Sequence, residues 1–217
     1  MAEQINRLKK LRNLLPLGIL ASFISCTTTR LSQQSRTASE NTPDSILVDL
    51  NGNQYTIKQM PDSIFWMTAN LKLNIPGSYC YENKMSNCEK YGRLYTYEAA
   101  QKVCVQFGNG WRLPTDEEWQ KLSRHYGHSE DSIDYRKKAY KALMLGGPSP
   151  FHAVLGGGRN PDETYKRLEA HGFYWTSTEI DSSMAIFYNF AKGSQAVFRQ
   201  PEGEKLSAFS VRCVKTY

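Results

Sequence analysis

The sequence lacks several patterns that would identify a common chemistry. It has no dense run of Lys and Arg and no basic helix, so nucleic-acid binding has little support. It has no C-x-x-C pair of the kind that binds zinc, and no G-x-S-x-G turn that would expose a catalytic serine. Its apolar run near the N-terminus, Leu14 to Ile24, is too short for a membrane-spanning helix. These absences predict no nucleic-acid partner, no zinc site and no hydrolase site.

The N-terminal residues have the composition of an export signal. Four basic residues precede the apolar run: Arg7, Lys9, Lys10 and Arg12. The run ends at Ser25-Cys26, and a small residue before a cysteine resembles the processing site of bacterial lipoproteins, where signal peptidase II cuts before a cysteine that is then lipidated. We therefore expect Cys26 to carry lipid and to anchor the protein at the membrane. The alternative is an ordinary secretory signal with an incidental cysteine.

Composition divides the chain into three parts. Residues 1–25 form the predicted signal. Residues 26–45 are rich in Ser, Thr, Gln and Asn with almost no apolar content, which predicts a flexible tether, and residues 46–217 form one domain. Removing the signal, with its four basic residues and Glu3, lowers the net charge from +6 to about +3. This organisation predicts a lipid-anchored protein of the cell envelope, at the outer membrane, facing either the periplasm or the exterior.

The domain begins and ends with predicted strands and has predicted helices between them. Asn51-Gly52, between two apolar segments, predicts a hairpin closed by a two-residue type I′ turn. Helical patterning covers residues 96–107 and 115–126, and a third helix is predicted within 129–145. The last third of the chain returns to alternating aromatic and β-branched residues. This order predicts an α+β domain whose terminal strands pair in one sheet.

Residues 111–119 join the two main predicted helices. Thr115 and Glu118 match a capping box, in which each side chain accepts a hydrogen bond from the backbone of the other residue. The two tryptophans of the segment are expected to pack against the C-terminal strands. Arg112 has two candidate roles, as a buried ion-pair partner or as a clamp on the backbone. The segment therefore looks structural rather than catalytic.

Four cysteines remain in the domain once Cys26 is assigned to lipid. They are Cys80, Cys88, Cys104 and Cys213. An even number of cysteines behind an export signal favours disulfides, and three pairings are possible. The local choice joins Cys80 to Cys88. The remaining bond, from Cys104 to Cys213, would then connect the first helix to the final strand.

Four motifs in a fixed order carry a resemblance to a known family. They are Trp-Met-Thr-Ala-Asn-Leu-Lys at 66–72, Gly-Trp-Arg-Leu-Pro-Thr-Asp-Glu-Glu-Trp at 110–119, Tyr-Trp-Thr-Ser-Thr-Glu at 174–179 and Ser-Val-Arg-Cys-Val-Lys at 210–215. Together they resemble the Fibrobacter succinogenes major paralogous domain, found in surface lipoproteins of Bacteroidota and Fibrobacterota. The resemblance covers about residues 46–217.

The resemblance implies a fold more strongly than a function. The family is grouped with the C-type-lectin-like and formylglycine-generating-enzyme-like folds, which implies an α+β domain with two main helices against antiparallel sheets and adjacent terminal strands. It also implies the bond between Cys104 and Cys213. The family carries no established activity.

The long loops at 146–172 and 199–207 are the candidate ligand-binding surface. Aromatic and polar residues suited to a glycan or a protein concentrate in the first loop: Phe151, His152, Arg159, Asn160 and Tyr165. A loop that merely covers the sheet is the alternative. His125 and His128 could hold a metal only with further ligands, which the sequence does not nominate. The usual calcium-lectin motifs are absent, and the acidic loops leave a calcium site open.

These observations predict a non-enzymatic, lipid-anchored envelope protein whose C-type-lectin-like domain binds a protein or a glycan. No catalytic residue and no cofactor are predicted. An enzyme related to the formylglycine-generating fold is one alternative, although that chemistry needs reactive thiols and disulfides would consume all four. A structural component of an envelope or appendage assembly is the other.

Overall fold

The computed structural model describes residues 45–128 and 133–216. The predicted signal, nearly all of the tether, Cys26 and residues 129–132 of the predicted third helix lie outside the described residues. The described α-helices are α1 (Met85–Tyr91), α2 (Tyr97–Val105), α3 (Asp116–Gly127) and α4 (Ile133–Leu143), and a 3-10 turn spans Tyr81–Asn83. The strands are β1 (Ser45–Val48), β2 (Gln54–Gln59), β3 (Phe65–Met67), β4 (Ser78–Tyr79), β5 (Leu94–Thr96), β6 (Gly158–Arg159), β7 (Tyr165–Lys166), β8 (His171–Glu179), β9 (Met184–Ala191), β10 (Ala196–Glu204), β11 (Ala208–Phe209) and β12 (Val214–Lys215).

The strands form three antiparallel sheets, in the orders β1-β2-β3-β12, β10-β9-β8 and β4-β5-β11-β6-β7. The C-terminal β12 pairs with β3, with Val214 opposite Trp66. The prediction of an α+β domain with its terminal strands in one sheet is therefore confirmed. Within the described residues, no helix is both long and apolar enough to cross a bilayer.

The predicted two-residue type I′ turn between β1 and β2 is wrong. Such a turn needs positive φ at both central residues, and only Gly52 has it, at +80°. The loop is longer because Asp49 pairs with Asn53, and the Asp49 carboxylate also accepts hydrogen bonds from the backbone N–H groups of Asn51 and Asn53. The hydroxyl of Tyr55 donates to the same carboxylate at 2.6 Å. The Asp49 carboxylate thus stabilises a longer loop in place of the two-residue turn.

Both main helices begin where the sequence predicts. The Thr96 hydroxyl accepts a hydrogen bond from Ala99 N at the start of α2. At the start of α3 the capping box is complete, because Thr115 and Glu118 each accept a backbone hydrogen bond from the other. Such a cap contributes about 1 kcal/mol to helix stability. The helix α4 lies within the predicted range.

Arg112 is an ion-pair partner. Its two terminal amino groups lie 2.8 and 2.5 Å from the two carboxylate oxygens of Glu118. Burial alone would raise the pKa of Glu118, but the hydrogen bonds from Arg112 and Thr115 outweigh it and hold the pKa below its ordinary value of 4.5. The pair links the segment before α3 to the first turn of the helix. Its position is fixed further because the backbone of Arg112 pairs with Val214.

Trp119 lies at the centre of one of the two main aromatic cores. Its ring stacks on Tyr188 of β9 at 5.1 Å between centroids and meets the edges of Trp66 at 5.2 Å and Phe151 at 5.4 Å. Contacts of this kind contribute about 0.5–1.5 kcal/mol each beyond simple burial. The expected packing of this tryptophan on the C-terminal strands is confirmed. The core thereby fixes α3 on the β8-β9-β10 sheet.

The disulfides join Cys80 to Cys88 and Cys104 to Cys213. The predicted pairing is therefore confirmed. The second bond spans 109 residues and connects α2 to the segment before β12. It lies inside the other main core, beside Trp175.

Arg212 is a buried cation, only 1% exposed. It donates to Asn70 Oδ1 at 2.7 Å and to the backbone carbonyl oxygens of Met67, Phe151 and His152. All four acceptors are uncharged, and the guanidinium also lies 4.5 Å from the centroid of the Phe151 ring. Burial lowers the pKa of Arg212 to about 10. One side chain thus joins β3, the segment after α4 and the C-terminal segment.

Candidate functional site

The five loop residues predicted to bind a ligand do not share one surface. Phe151 is fully buried in the aromatic core, so its assignment to a ligand surface is wrong. The ring packs edge-on against both Trp66 and Trp119. Nothing in the sequence indicated this burial, because the residues between the two glycine clusters show no periodicity. His152, adjacent in the chain, is exposed and lines a recess beside Tyr91.

The other three predicted residues form contacts within or next to the β6–β7 hairpin. Arg159 is buried, with its guanidinium 4.0 Å from the Tyr79 ring centroid and 2.9 Å from the Glu163 carboxylate. The Asn160 amide donates to the side chain of Thr164 at 2.9 Å. The Tyr165 hydroxyl donates to Asn83 Oδ1 at 3.0 Å. Their polar groups are engaged in holding the hairpin.

The second predicted loop is mostly a strand. Residues 199–204 belong to β10, where Arg199 pairs with Tyr188 of β9, and a register shift follows Gln200. Pro201 and Gly203 are unfavourable inside a regular strand, so the sequence predicted a loop here. Both residues are tolerated because they lie at the register shift between β10 and β9. The consequence is that Arg199 projects from a sheet held against α3 rather than from a loop.

A polar cleft of about 340 Å³, which we call the arginine cleft, opens between α3, α4 and the β9–β10 strands. Three arginines line it, one from each of α3, α4 and β10: Arg124, Arg136 and Arg199. Gln120 and Ser123 of α3 join them, because positions three and four apart lie on one face of a helix. Tyr135 of α4 completes this side of the lining. Within the described residues, none of the side chains lining the cleft is acidic.

Asp116, at the first position of α3, is hydrogen-bonded to three of the side chains that line the cleft. Arg199 Nε lies 2.8 and 2.9 Å from the two Asp116 carboxylate oxygens. The Tyr188 hydroxyl and the Gln120 amide also donate to this carboxylate, at 3.0 and 2.9 Å. Burial, reinforced by the Asp116 charge, raises the pKa of Tyr188 and keeps the phenol neutral. Arg199 is thus held through Nε, which leaves its two terminal amino groups for other partners.

The remaining polar groups of the cleft can form further hydrogen bonds. Ser123 is 3% exposed, and its hydroxyl has no hydrogen-bond partner in the described structure. Among the residues that the structure describes, Arg124 donates only to the Gln120 side chain, at 3.3 Å. The Arg136 guanidinium faces aromatic rings instead of a carboxylate, 5.6 Å from the centroid of Phe198. The cleft therefore concentrates positive charge and hydrogen-bond donors, and Asp116 is the one carboxylate of the described chain that pairs with its arginines.

The two histidines considered as possible metal ligands are His125 and His128. The rings of His125 and His128 are 6.4 Å apart at their centroids. In the part of the chain that the structure describes, no three His, Cys, Asp or Glu side chains are placed to hold a metal ion. The chemistry available in the arginine cleft is anion recognition through charge-assisted hydrogen bonds.

Comparison with known proteins agrees with the four ordered motifs. The family model described as the Fibrobacter succinogenes major domain matches residues 39–215, which include all the strands and helices described above. No curated protein and no solved structure matched the chain. On the extent of this match, the chain belongs to the Fibrobacter succinogenes major domain family.

Proposed function

We propose that this protein is a non-enzymatic, lipid-anchored protein of the cell envelope, at the outer membrane, whose domain at 46–217 binds a protein or glycan ligand. The arginine cleft is the observation that carries the proposal. It presents charged and polar donors, only some of which have acceptors among the described residues, on a sheet and two helices that packing holds in place. Binding on a rigid scaffold needs no reactive group.

We further propose that the domain has a C-type-lectin-like fold. The pairing of β3 with β12 supports this, since it places the C-terminal strand in the same sheet as the N-terminal strands. The disulfide from α2 to the C-terminal segment supports it as well. In this proposal the cleft lies on the sheet side of α3.

The pairing of the cysteines favours binding over the formylglycine-type alternative. Chemistry of that kind needs free thiols, and all four cysteines of the domain are held in disulfides. The third alternative, a structural component of an envelope assembly, predicts incorporation into a larger complex without a separate ligand.

The test is ligand capture by residues 27–217, which omit the signal and the lipidated cysteine. We expect this chain to retain a glycan on an array, or a protein from an envelope extract, above the level of a control in which Arg124 and Arg136 are both replaced by Gln. An absence of any ligand above background, together with stable incorporation into an envelope assembly, would refute binding and favour the structural alternative.

Lipid anchoring at Cys26 makes a separate prediction. Cys26→Ser should move the protein from the membrane fraction to the soluble fraction, because the acyl chains supply most of the membrane affinity, at about 0.8 kcal/mol per buried CH₂. Thr27→Ser is the matched control and should stay with the membrane. Equal fractionation of the two variants would rule out this anchor.

A further inference from the structure

We propose that the arginine cleft binds the anionic group of an acidic sugar, a uronate or a sulfated residue of a polysaccharide. This inference rests on the proposed binding function and specifies its ligand. The three guanidinium groups come from three different elements, so folding assembles them around one space of about 340 Å³. Arginine matches the planar oxygen pairs of carboxylates and the oxygens of sulfates through paired hydrogen bonds.

The charge balance of the cleft favours an external anion. Asp116 is the one carboxylate bonded to these arginines in the described structure, and Arg199 meets it through Nε. Arg124 and Arg136 form no ion pair with a described carboxylate, although α3 and α4 both carry acidic residues, and Asp134 pairs instead with Lys138. Like charges gathered without a counterion repel one another, and a bound anion removes that repulsion.

The neutral groups of the cleft favour a sugar over an acidic peptide. Ser123 lines the cleft, and its buried hydroxyl has no partner among the described residues; a sugar hydroxyl that reaches it can both donate to it and accept from it. The Gln120 side chain lies beside it on the same face of α3. Tyr135, which lines the cleft, provides an aromatic ring against which the C–H face of a sugar ring can pack. An unpaired buried hydroxyl is unfavourable in the free protein, and a ligand hydroxyl would satisfy it.

The test is calorimetric titration of residues 27–217 with four probes. They are an oligogalacturonate, the same oligosaccharide after reduction of its carboxylates, a sulfated oligogalactose and an oligoglutamate peptide. We expect binding of the uronate, the sulfated sugar or both, and the stronger of the two identifies the anionic group. The carboxyl-reduced sugar should bind at least about tenfold more weakly, because it loses the charge-assisted hydrogen bonds.

Variants then locate the site. Arg124→Gln combined with Arg136→Gln should weaken binding of the acidic sugar by at least about tenfold, and Ser123→Ala should weaken it by a smaller factor. Within the described residues neither arginine forms an ion pair, so both variants should keep the wild-type circular dichroism spectrum. The matched control combines Lys121→Gln with Lys137→Gln, which removes the same charge from exposed positions of α3 and α4 outside the cleft lining. It should change the affinity less than about twofold, since screened surface charges contribute little.

The outcomes separate the ligand class from the proposed function. Equal binding of the carboxyl-reduced sugar, or equal loss in the lysine control, would overturn the acidic-sugar assignment and leave ligand binding intact. Oligoglutamate that binds as tightly as the sugars, with the same dependence on arginine, would reassign the cleft to acidic peptides. Failure of all four probes while the capture experiment retains a ligand would overturn this inference alone. Failure in both experiments would overturn the binding function as well.

Discussion

Arg212→Met is expected to lower the free energy of unfolding by about 3 kcal/mol or more. The guanidinium donates to four acceptors: Asn70 Oδ1 and the carbonyl oxygens of Met67 and Phe151, all in buried hydrogen bonds, and the carbonyl oxygen of His152 in a partly buried one. Each buried acceptor left without a partner costs about 1–3 kcal/mol. Removing a charge from the interior returns part of this loss. The balance still favours arginine, because methionine offers no hydrogen-bond donor.

Urea unfolding measures the effect, with Arg124→Met as the matched control at an exposed position of α3. The control should shift the free energy of unfolding by less than about 0.5 kcal/mol. Arg212→Lys is a useful third variant, because a single ammonium cannot reach acceptors spread over three segments and should also destabilise the domain. A loss below about 1 kcal/mol for Arg212→Met would show that the clamp is dispensable.

Removing the Cys104–Cys213 disulfide is the second large effect. Replacing both cysteines with Ala should lower stability by up to about 4.7 kcal/mol in the chain-entropy model, which applies to loops of about 100 residues, and this bond spans 109 residues. Both cysteines are fully buried, so the lost sulfur packing adds to the effect.

The Cys80–Cys88 bond provides the internal control. It spans only 8 residues, so its removal should be less destabilising than the roughly 3 kcal/mol that the same model gives for a 15-residue loop. Urea unfolding of the two double-Ala variants compares them directly. An equal or larger loss for the Cys80–Cys88 pair would contradict the ranking by loop length.

The features that the sequence predicts well depend on short-range rules. The capping box at Thr115 and Glu118 is decided within four residues, and the start of α2 at Thr96 follows the same rule. Strand patterning at both ends of the domain predicts the sheet that joins β3 to β12. The type of turn between β1 and β2 was still predicted wrongly. The Asp49 carboxylate accepts hydrogen bonds from the backbone of Asn51 and Asn53, and the loop is longer as a result.

The cleft could not be predicted because its parts are distant in sequence. Gln120, Ser123 and Arg124 share a helical face, and that spacing was the one available signal. Arg136 reaches the cleft only through the packing of α4 on α3 and β10, and Arg199 only through the register of β10 on β9. The prediction for Phe151 was wrong for a different reason. Its ring belongs to the core, but the surrounding loop has no periodicity from which burial could be predicted.

The central claim is that the arginine cleft is where this domain meets its ligand. The most direct test is a titration of ¹⁵N-labelled residues 27–217 with oligogalacturonate, followed through the arginine Nε–Hε and backbone amide signals. We expect the largest shifts on the Nε–Hε groups of Arg124, Arg136 and Arg199 and on the backbone amides of 120–124. Shifts centred on the β6–β7 hairpin and His152, with the cleft signals unchanged, would contradict it.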